Sequence, residues 1–270
     1  MKFKKRNNFD KNELDAAKRI LKSGSLSSYV AEWGKNFYGG NEIKKLEKKF
    51  NNYFKVKYSI AVNSWTSGLI CAVGALDIEP GDEILVCPWT MSATATAILH
   101  WNAIPVFVDI DPENFCIDPK KIEKKISKKT KAILATHIYG YPIEIDKIKK
   151  ICKKYNLILI EDAAEMVGHK FQGKYCGSFG DLSIFSFYSN KHITTGEGGM
   201  VLTSNKKFKD KIFEYKNLCF GKKNRFNHYD IGWNYRYTNL QASLGISQIR
   251  RINKIIFKKK EIGKKYYNNL

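Results

Sequence analysis

The stretch DLSIFSFYSNKHITTGEGGMVLTS (residues 181–204) is the most informative part of this sequence. Two apolar segments, LSIF and GMVL, have the composition of buried strands. They flank a polar connection that carries one lysine, Lys191, followed by a cluster of glycines. In an α/β sheet, ligands bind beyond the carboxyl ends of the strands. This position makes Lys191 a candidate functional residue in a chain with many other lysines.

Strand–helix units precede this stretch. The apolar run SIAVNS (59–64) leads into TSGLICAVGAL (66–76), and DEILVCP (82–88) leads into TMSATATAILHW (90–101). Such continuous apolar runs are typical of parallel strands that are covered on both faces. We therefore predict an α/β doubly wound fold, with a mostly parallel central sheet covered by helices on both faces.

Helical patterns stand at both ends of the chain. DKNELDAAKRILKSG (10–24) and NEIKKLEKKFNNYF (41–54) have the spacing of amphipathic helices. A single long helical pattern runs from Thr238 almost to the end of the chain.

The chain carries 47 lysine and arginine residues against 26 acidic ones, a net charge of +21 over 270 residues. Such a charge suits a nucleic-acid or membrane-surface protein. However, the lysines are scattered along amphipathic helices, and zinc-finger spacing and an arginine-rich arm are both absent. A nucleic-acid binder is therefore the less favoured alternative, and a basic surface favours an anionic substrate.

The six cysteines occur singly, without a CxxC pair, which argues against a disulfide framework or a metal site. The first residues, MKFKKRNNFDKNE, contain no apolar signal segment, and no run is long enough to span a membrane. We therefore expect a cytoplasmic protein with no membrane partner and no metal.

Several residues at predicted strand ends fit one chemistry when they are taken together. Asp162 ends the apolar run LILIED, Trp89 follows ILVCP, Thr66 lies at a hydroxyl-rich helix start, and Ser186 precedes Lys191 by five positions. Each alone would fit a helix cap or packing at a sheet edge. Together they fit a pyridoxal phosphate site, in which a lysine forms a Schiff base, an aspartate pairs with the ring nitrogen, and hydroxyl and N–H groups bind the phosphate.

The sequence resembles the DegT/DnrJ/EryC1/StrS family of sugar-nucleotide aminotransferases, which are pyridoxal phosphate (PLP) transferases of fold type I. The resemblance extends from about Glu13 to the C-terminus. It is carried by the motifs AVNSWTSGL, GDEILVCPWTMSATATAI, PVFVDIDPENFCID, ATHIYGYP, EDAAEMVG, GSFGDLSIFSFYSNKHITTGEGGMV and IGWNYRYTNLQASLG. The segment SNKHITTGEGGMV is most similar to the perosamine-synthase type, which aminates C4 of a 4-keto-6-deoxy sugar nucleotide.

The resemblance implies a role for individual residues. Lys191 would hold the cofactor covalently and move a proton between the substrate and the cofactor. Asp162 would pair with the pyridine nitrogen, Trp89 would stack on the ring, and Glu165 would lie near the phenolic oxygen of the cofactor.

The resemblance also implies a phosphate site and a second subunit. Ser186, Thr66 and the backbone N–H of Trp65 would bind the cofactor phosphate. Asn234 would reach the phosphate of a neighbouring subunit, so that a homodimer would complete each site.

The implied reaction is a ping-pong transfer. Glutamate would donate its amino group and leave pyridoxamine phosphate, which would aminate the keto-sugar nucleotide for glycan or deoxyamino-sugar biosynthesis. Two alternatives stay open. The family also contains sugar-nucleotide 3-dehydratases, in which a histidine replaces the lysine and some of which carry a histidine at the position of His192, and a non-catalytic PLP-binding protein is possible.

The resemblance divides the chain into three parts: an N-terminal segment (1–40), a PLP-binding large domain (41–237), and a helix (238–270) leading to a small domain that is largely missing. We therefore expect a fragment, a truncated gene product, or a chain whose missing part is supplied otherwise. Four isoleucines on the last helix would then be exposed: Ile252, Ile255, Ile256 and Ile262.

Overall fold

The computed structural model describes residues 9–30, 33–221 and 226–269. The predictions that concern residues 1–8 and Leu270 lie outside this range. The α-helices are α1 (Lys11–Ser23), α2 (Asn41–Phe54), α3 (Trp65–Gly74), α4 (Ser92–Leu99), α5 (Pro119–Ile122), α6 (Ile145–Tyr155), α7 (Lys206–Tyr215), α8 (Asn239–Arg250) and α9 (Ile252–Asn269). The strands are β1 (Tyr58–Val62), β2 (Glu83–Val86), β3 (Ile104–Phe107), β4 (Thr130–Thr136), β5 (Ile158–Asp162), β6 (Lys170–Phe171), β7 (Lys174–Tyr175), β8 (Leu182–Ser186) and β9 (Gly199–Thr203).

Seven strands form the central sheet, in the order β1-β9-β8-β5-β4-β2-β3. Neighbouring strands from β8 to β3 are parallel, whereas β9 is antiparallel to both of its neighbours, β1 and β8. The carboxyl ends of β1, β2, β4, β5 and β8 therefore lie at the same edge of the sheet, and the segments that follow them form the walls of a common site.

Helices cover both faces of the sheet, as predicted. Along each strand, alternate side chains point to opposite faces. In β4, for example, Ile133 and Ala135 pack into one apolar cluster with α2, α6 and α8. Ala132 and Leu134 pack into the other cluster with α3, α4 and α7. Both faces are apolar because both are buried, which explains the continuous apolar runs in the sequence.

The two N-terminal helices have the bounds that their sequence patterns predict. Helix α1 begins after Asp10, whose side chain accepts a hydrogen bond from the N–H of Asn12, and ends at Gly24, with φ +67°. The Glu13 carboxylate accepts a hydrogen bond from the backbone N–H of Asp10, which completes a capping box. Helix α1 packs against α8, so this N-terminal segment is joined to the C-terminal part of the chain.

The C-terminal pattern forms two helices, not one, so the prediction of a single long helix is wrong. Arg251 separates α8 from α9, with φ −110° and ψ 15°. Its guanidinium pairs with Asp10 at 3.1 Å and with Glu13 at 2.9 Å. These ion pairs connect the break between α8 and α9 to the N-terminus of α1.

The prediction that four isoleucines of α9 are exposed is also wrong for three of them. Ile252 is buried, and Ile255 and Ile256 are half-buried against the core. The first part of α9 therefore packs on the domain with this side. Ile262, further along the helix, is exposed.

In the three described ranges, no helix combines the length and the apolar character that are needed to cross a membrane.

Candidate active site

Two adjoining cavities lie at the carboxyl edge of the sheet, with volumes of about 490 and 350 Å³. They share four wall residues, which are Met91, Asp162, Ala164 and Lys191. The larger cavity lies on the side of β2 and β4, and the smaller one lies beside the N-terminus of α3. A bound molecule with two parts could therefore contact both cavities and the same lysine and aspartate.

Asp162 is the last residue of β5 and is buried. Its Oδ1 accepts the N–H of Ala164 at 3.1 Å, and its Oδ2 accepts the Thr136 hydroxyl at 3.3 Å. Burial raises the pKa of Asp162 to about 6, although the Ala164 hydrogen bond and the nearby charges of His137 and Lys191 oppose that shift. Among the described residues no ion pair within 4 Å compensates the buried charge of this carboxylate, and a protonated ring nitrogen would supply a cation there.

Lys191 lies in the connection between β8 and β9. Its backbone N–H donates to the Tyr188 carbonyl, and its side chain is 18% exposed. The ammonium group lies 3.0 Å from the Glu165 carboxylate. Glu165 follows β5 by three positions, so β5 supplies the aspartate and the segment directly after it supplies the carboxylate that pairs with the lysine.

Trp89 lies on the wall of the larger cavity, with 46% of its side chain exposed. The adjacent Thr90 hydroxyl lies 3.3 Å from that of Thr136, which in turn donates to Asp162. A short chain of hydroxyl groups therefore joins the end of β2 to the carboxylate at the end of β5.

The smaller cavity begins at the first turn of α3. Ser64 caps this helix, and its hydroxyl accepts the N–H of Ser67. Trp65, Thr66 and Ser186 line the cavity with Ser64. The N–H groups in the first turn of a helix have no partner within the helix, and hydroxyl groups beside them complete a site for an anion.

Seven of the eight predicted site residues line these two cavities: Trp65, Thr66, Trp89, Asp162, Glu165, Ser186 and Lys191. Asn234 does not. Its side chain is exposed, and its backbone carbonyl accepts a hydrogen bond from Asn63, next to the end of β1. The role that the resemblance gives Asn234 in a second subunit stays a prediction.

Sequence reasoning missed several residues at the site. Thr136 contacts Asp162, and the backbone N–H of His137 donates to the Asp162 carbonyl. Tyr139 lines the larger cavity and contacts Trp89. Thr136 is the last residue of β4 and the other two follow it, and the motif ATHIYGYP was the available signal.

His192 lies outside both cavities, on the wall of a neighbouring chamber of about 660 Å³ that Lys191 and Glu165 also line. A separate cavity of about 740 Å³ lies between α1, α2 and α8, away from the strand ends. It contains none of the predicted site residues.

Comparisons with known proteins agree with this architecture. The profile of the DegT/DnrJ/EryC1/StrS aminotransferase family matches residues 10–270. The chain belongs to this family. The predicted family is therefore confirmed.

Among curated proteins, the GDP-perosamine synthase of Escherichia coli O157:H7 is 42% identical over 231 residues, which are 86% of this chain and 64% of that protein. This chain thus spans slightly less than two thirds of the length of that relative.

Two solved structures are similar over nearly the whole chain. An aminotransferase from Psychrobacter cryohalolentis has a TM-score of 0.84 and 34% identity, and the match covers 93% of this chain and 64% of that one. The E. coli GDP-4-keto-6-deoxy-D-mannose-3-dehydratase with bound hydrated PLP has a TM-score of 0.86 and 26% identity, over 96% of this chain and 70% of that one. The predicted fold class is confirmed by these matches.

Proposed function

We propose that this chain is the cofactor-binding part of a PLP-dependent aminotransferase that transfers an amino group from glutamate to C4 of a 4-keto-6-deoxy sugar nucleotide. The observation that carries the proposal is the position of Lys191 and Asp162 on the shared walls of two cavities at the strand ends. A lysine amine and a buried carboxylate facing a common space are the two groups that PLP chemistry requires.

The residues present fit the cofactor. Asp162 would bind the protonated pyridine nitrogen. Burial raises the pKa of this carboxyl group, and a cation beside it would stabilise its ionised form. Ser186, Thr66 and the first-turn N–H of Trp65 would bind the phosphate in the smaller cavity. Trp89 would cover the ring from the larger cavity, and Glu165 would lie beside its phenolic oxygen.

When it is bound, PLP supplies an electron sink for the bonds at the substrate carbon. Lys191 would bind the cofactor covalently and then carry the proton at the reacting carbon. The carboxylate of Glu165 lies 3.0 Å from the Lys191 ammonium. It would orient the lysine and form an ion pair with the ammonium when the amine is free of the cofactor. Asp162 would keep the ring nitrogen protonated.

The proposed substrates rest on the relatives. The curated relative from E. coli O157:H7 is named a GDP-perosamine synthase, and this supports a sugar nucleotide as the acceptor. The proposal includes pyridoxamine phosphate as the second form of the cofactor. The proposal includes a homodimer in which Asn234 serves the neighbouring site. It also includes a cytoplasmic location, since all six cysteines are buried and unpaired, as is typical of a reducing compartment.

Cofactor binding tests the central claim. The purified chain should bind PLP with a visible absorbance band, and borohydride should add the cofactor mass to the peptide that contains Lys191. Lys191→Ala should remove the labelling. Lys260→Ala, which changes a lysine of the neighbouring chamber, is the matched control and should label normally. A chain that stays colourless, or is labelled at another lysine, would contradict the proposal.

A second measurement separates amino transfer from dehydration. Glutamate should convert the PLP form to pyridoxamine phosphate and release one equivalent of 2-oxoglutarate, and a 4-keto-6-deoxy sugar nucleotide should reverse that change. A product that has lost the C3 hydroxyl and gained no nitrogen would identify a 3-dehydratase instead. Cofactor binding without either half-reaction would identify a non-catalytic protein.

A further inference from the structure

Three aromatic side chains form a cluster at the entrance of the larger cavity. The rings of Trp89 and Phe115 have centroids 5.7 Å apart, and those of Phe115 and Tyr139 are 6.5 Å apart. The indole Nε1–H of Trp89 donates a hydrogen bond to the Tyr139 hydroxyl, at 3.2 Å. The three residues come from the segments after β2, β3 and β4, so tertiary structure alone brings them together.

The backbone of this cluster is unusual. Tyr139 has φ +54° and Phe115 has φ +61°, a left-handed conformation that residues with a side chain rarely adopt. Residues in such conformations persist where the surrounding structure holds them, and they concentrate at binding and active sites. In this conformation the Tyr139 hydroxyl lies within hydrogen-bond distance of the Trp89 indole.

The indole ring of Trp89 requires a contact that fixes its orientation. The residue is 46% exposed, so packing encloses only part of its indole ring. A half-exposed indole can adopt several rotamers, and a stacking surface is useful only when its ring is fixed before the ligand arrives.

We propose that Tyr139 is a positioning residue, which fixes the Trp89 ring over the cofactor cavity through the hydrogen bond from the indole Nε1–H. The proposal rests on the proposed function, since it assigns Trp89 as the stacking aromatic. Tyr139 acts through Trp89, and its own contact with the cofactor is not required. Phe115 packs beside both rings and completes the cluster.

The hydrogen bond is tested first in the cofactor-free chain. The chain contains five tryptophans, so ¹⁵N labelling gives five indole signals, and the signal lost in Trp89→Phe identifies residue 89. Tyr139→Phe should shift this signal and speed its exchange with solvent, and it should leave the other four unchanged. An unchanged Trp89 signal would overturn the proposal, whatever the function of the chain.

The effect on binding is tested by a double-mutant cycle. Tyr139→Phe should weaken PLP binding by about three- to tenfold, the value of one hydrogen bond, and by less than twofold when Trp89 is already phenylalanine. Tyr141→Phe, which changes an exposed tyrosine two positions away, is the matched control and should have no effect. Equal losses in both backgrounds, or no loss in either, would overturn the proposal. Failure of the unmodified chain to bind PLP would count against the proposed function instead.

Discussion

Glu161 and Asp162 are adjacent in β5, yet their environments shift the pKa values of the two carboxyl groups in opposite directions. Burial by itself raises both. At Glu161, hydrogen bonds from His137 and from the backbone N–H groups of Gly177 and Gly180 outweigh burial and hold the pKa below its usual range. At Asp162 burial dominates, and the pKa rises to about 6. The fold therefore supplies enough hydrogen-bond donors to stabilise the charge of the Glu161 carboxylate, and it does not do so for Asp162.

Asp162→Asn should stabilise the cofactor-free chain at neutral pH. A carboxyl group with a raised pKa destabilises the fold when it is ionised, so the wild-type chain loses stability as the pH rises from about 4 to about 6 and keeps that loss above this range. A pKa shift from 3.8 to about 6 corresponds to about 3 kcal/mol of unfolding free energy. Urea unfolding at several pH values measures it.

The difference in unfolding free energy between Asp162→Asn and wild type should grow between pH 4 and 6 and stay constant from pH 6 to 8. A difference that is the same at pH 4 and pH 8 would show that Asp162 is not destabilised by ionisation. The variant should also bind PLP more weakly, because an amide does not hold the ring nitrogen protonated.

Glu161→Gln, a change of the same kind one residue earlier, should have the opposite effect. The Glu161 carboxylate accepts hydrogen bonds from the N–H groups of Gly177 and Phe179, both at 2.7 Å. An amide NH₂ facing one of these donors leaves a buried N–H without an acceptor, at a cost of about 1–3 kcal/mol.

The loss in Glu161→Gln should be largest at neutral pH and should shrink as the pH falls below about 4, because a carboxyl group with a lowered pKa stabilises the fold only when it is ionised. Urea unfolding of both variants in parallel provides the check. A variant as stable as wild type at pH 7 would mean that the turn after β7 does not depend on this carboxylate.

Lys216→Met should strongly destabilise the fold. β1 is an edge strand of the sheet, and the side chains of two buried residues bind the backbone of Ala61. The Lys216 ammonium donates to the Ala61 carbonyl at 2.9 Å, and the Glu47 carboxylate accepts the Ala61 N–H at 2.9 Å. The Lys216 ammonium also lies 3.9 Å from the buried Glu47 carboxylate. Removing this cation from a buried pair costs about 3–5 kcal/mol.

The double variant Glu47→Gln/Lys216→Met should lose less unfolding free energy than Lys216→Met alone, because a glutamine can still accept the Ala61 N–H and carries no charge. Chemical denaturation of the two single variants and the double variant gives the coupling between the two sites. Strictly additive losses would show that the two side chains act on β1 independently.

Gly168→Ala should loosen the contact between α9 and the domain. Gly168 has φ +86°, and an added Cβ would collide with the Ile256 side chain. Gly173→Ala is the matched control, since Gly173 has φ +82° and open space around it. The control should cost about 1–2 kcal/mol from backbone strain alone, and Gly168→Ala should cost more.

In an Ile256→Ala background, the cost of Gly168→Ala should fall to that of the control, because the collision is removed and only the strain remains. Denaturation midpoints of these variants give the comparison. Equal costs for the two glycine substitutions in the wild-type background would show that α9 does not pack closely at Gly168.

The sequence by itself determined the helices and strands and the residues that lie at or after the strand ends. Asp10 and Gly24 mark the ends of α1, and apolar runs mark the strands, because caps and periodicity depend on neighbouring residues. The positions of Asp162 and Lys191 after apolar strands were enough to predict that they share a site, since parallel strands end at one edge.

The tertiary structure decided what depends on contacts between distant parts of the chain. It set β9 antiparallel between β1 and β8, separated α8 from α9 at Arg251, and paired Trp89 with Tyr139, fifty positions away. It also shifted the pKa values of the neighbouring acids of β5 in opposite directions. Successive strand residues face opposite sides of the sheet, so the two carboxyl groups meet different hydrogen-bond donors. Composition and periodicity describe neighbours along the chain, and these features depend on neighbours in space.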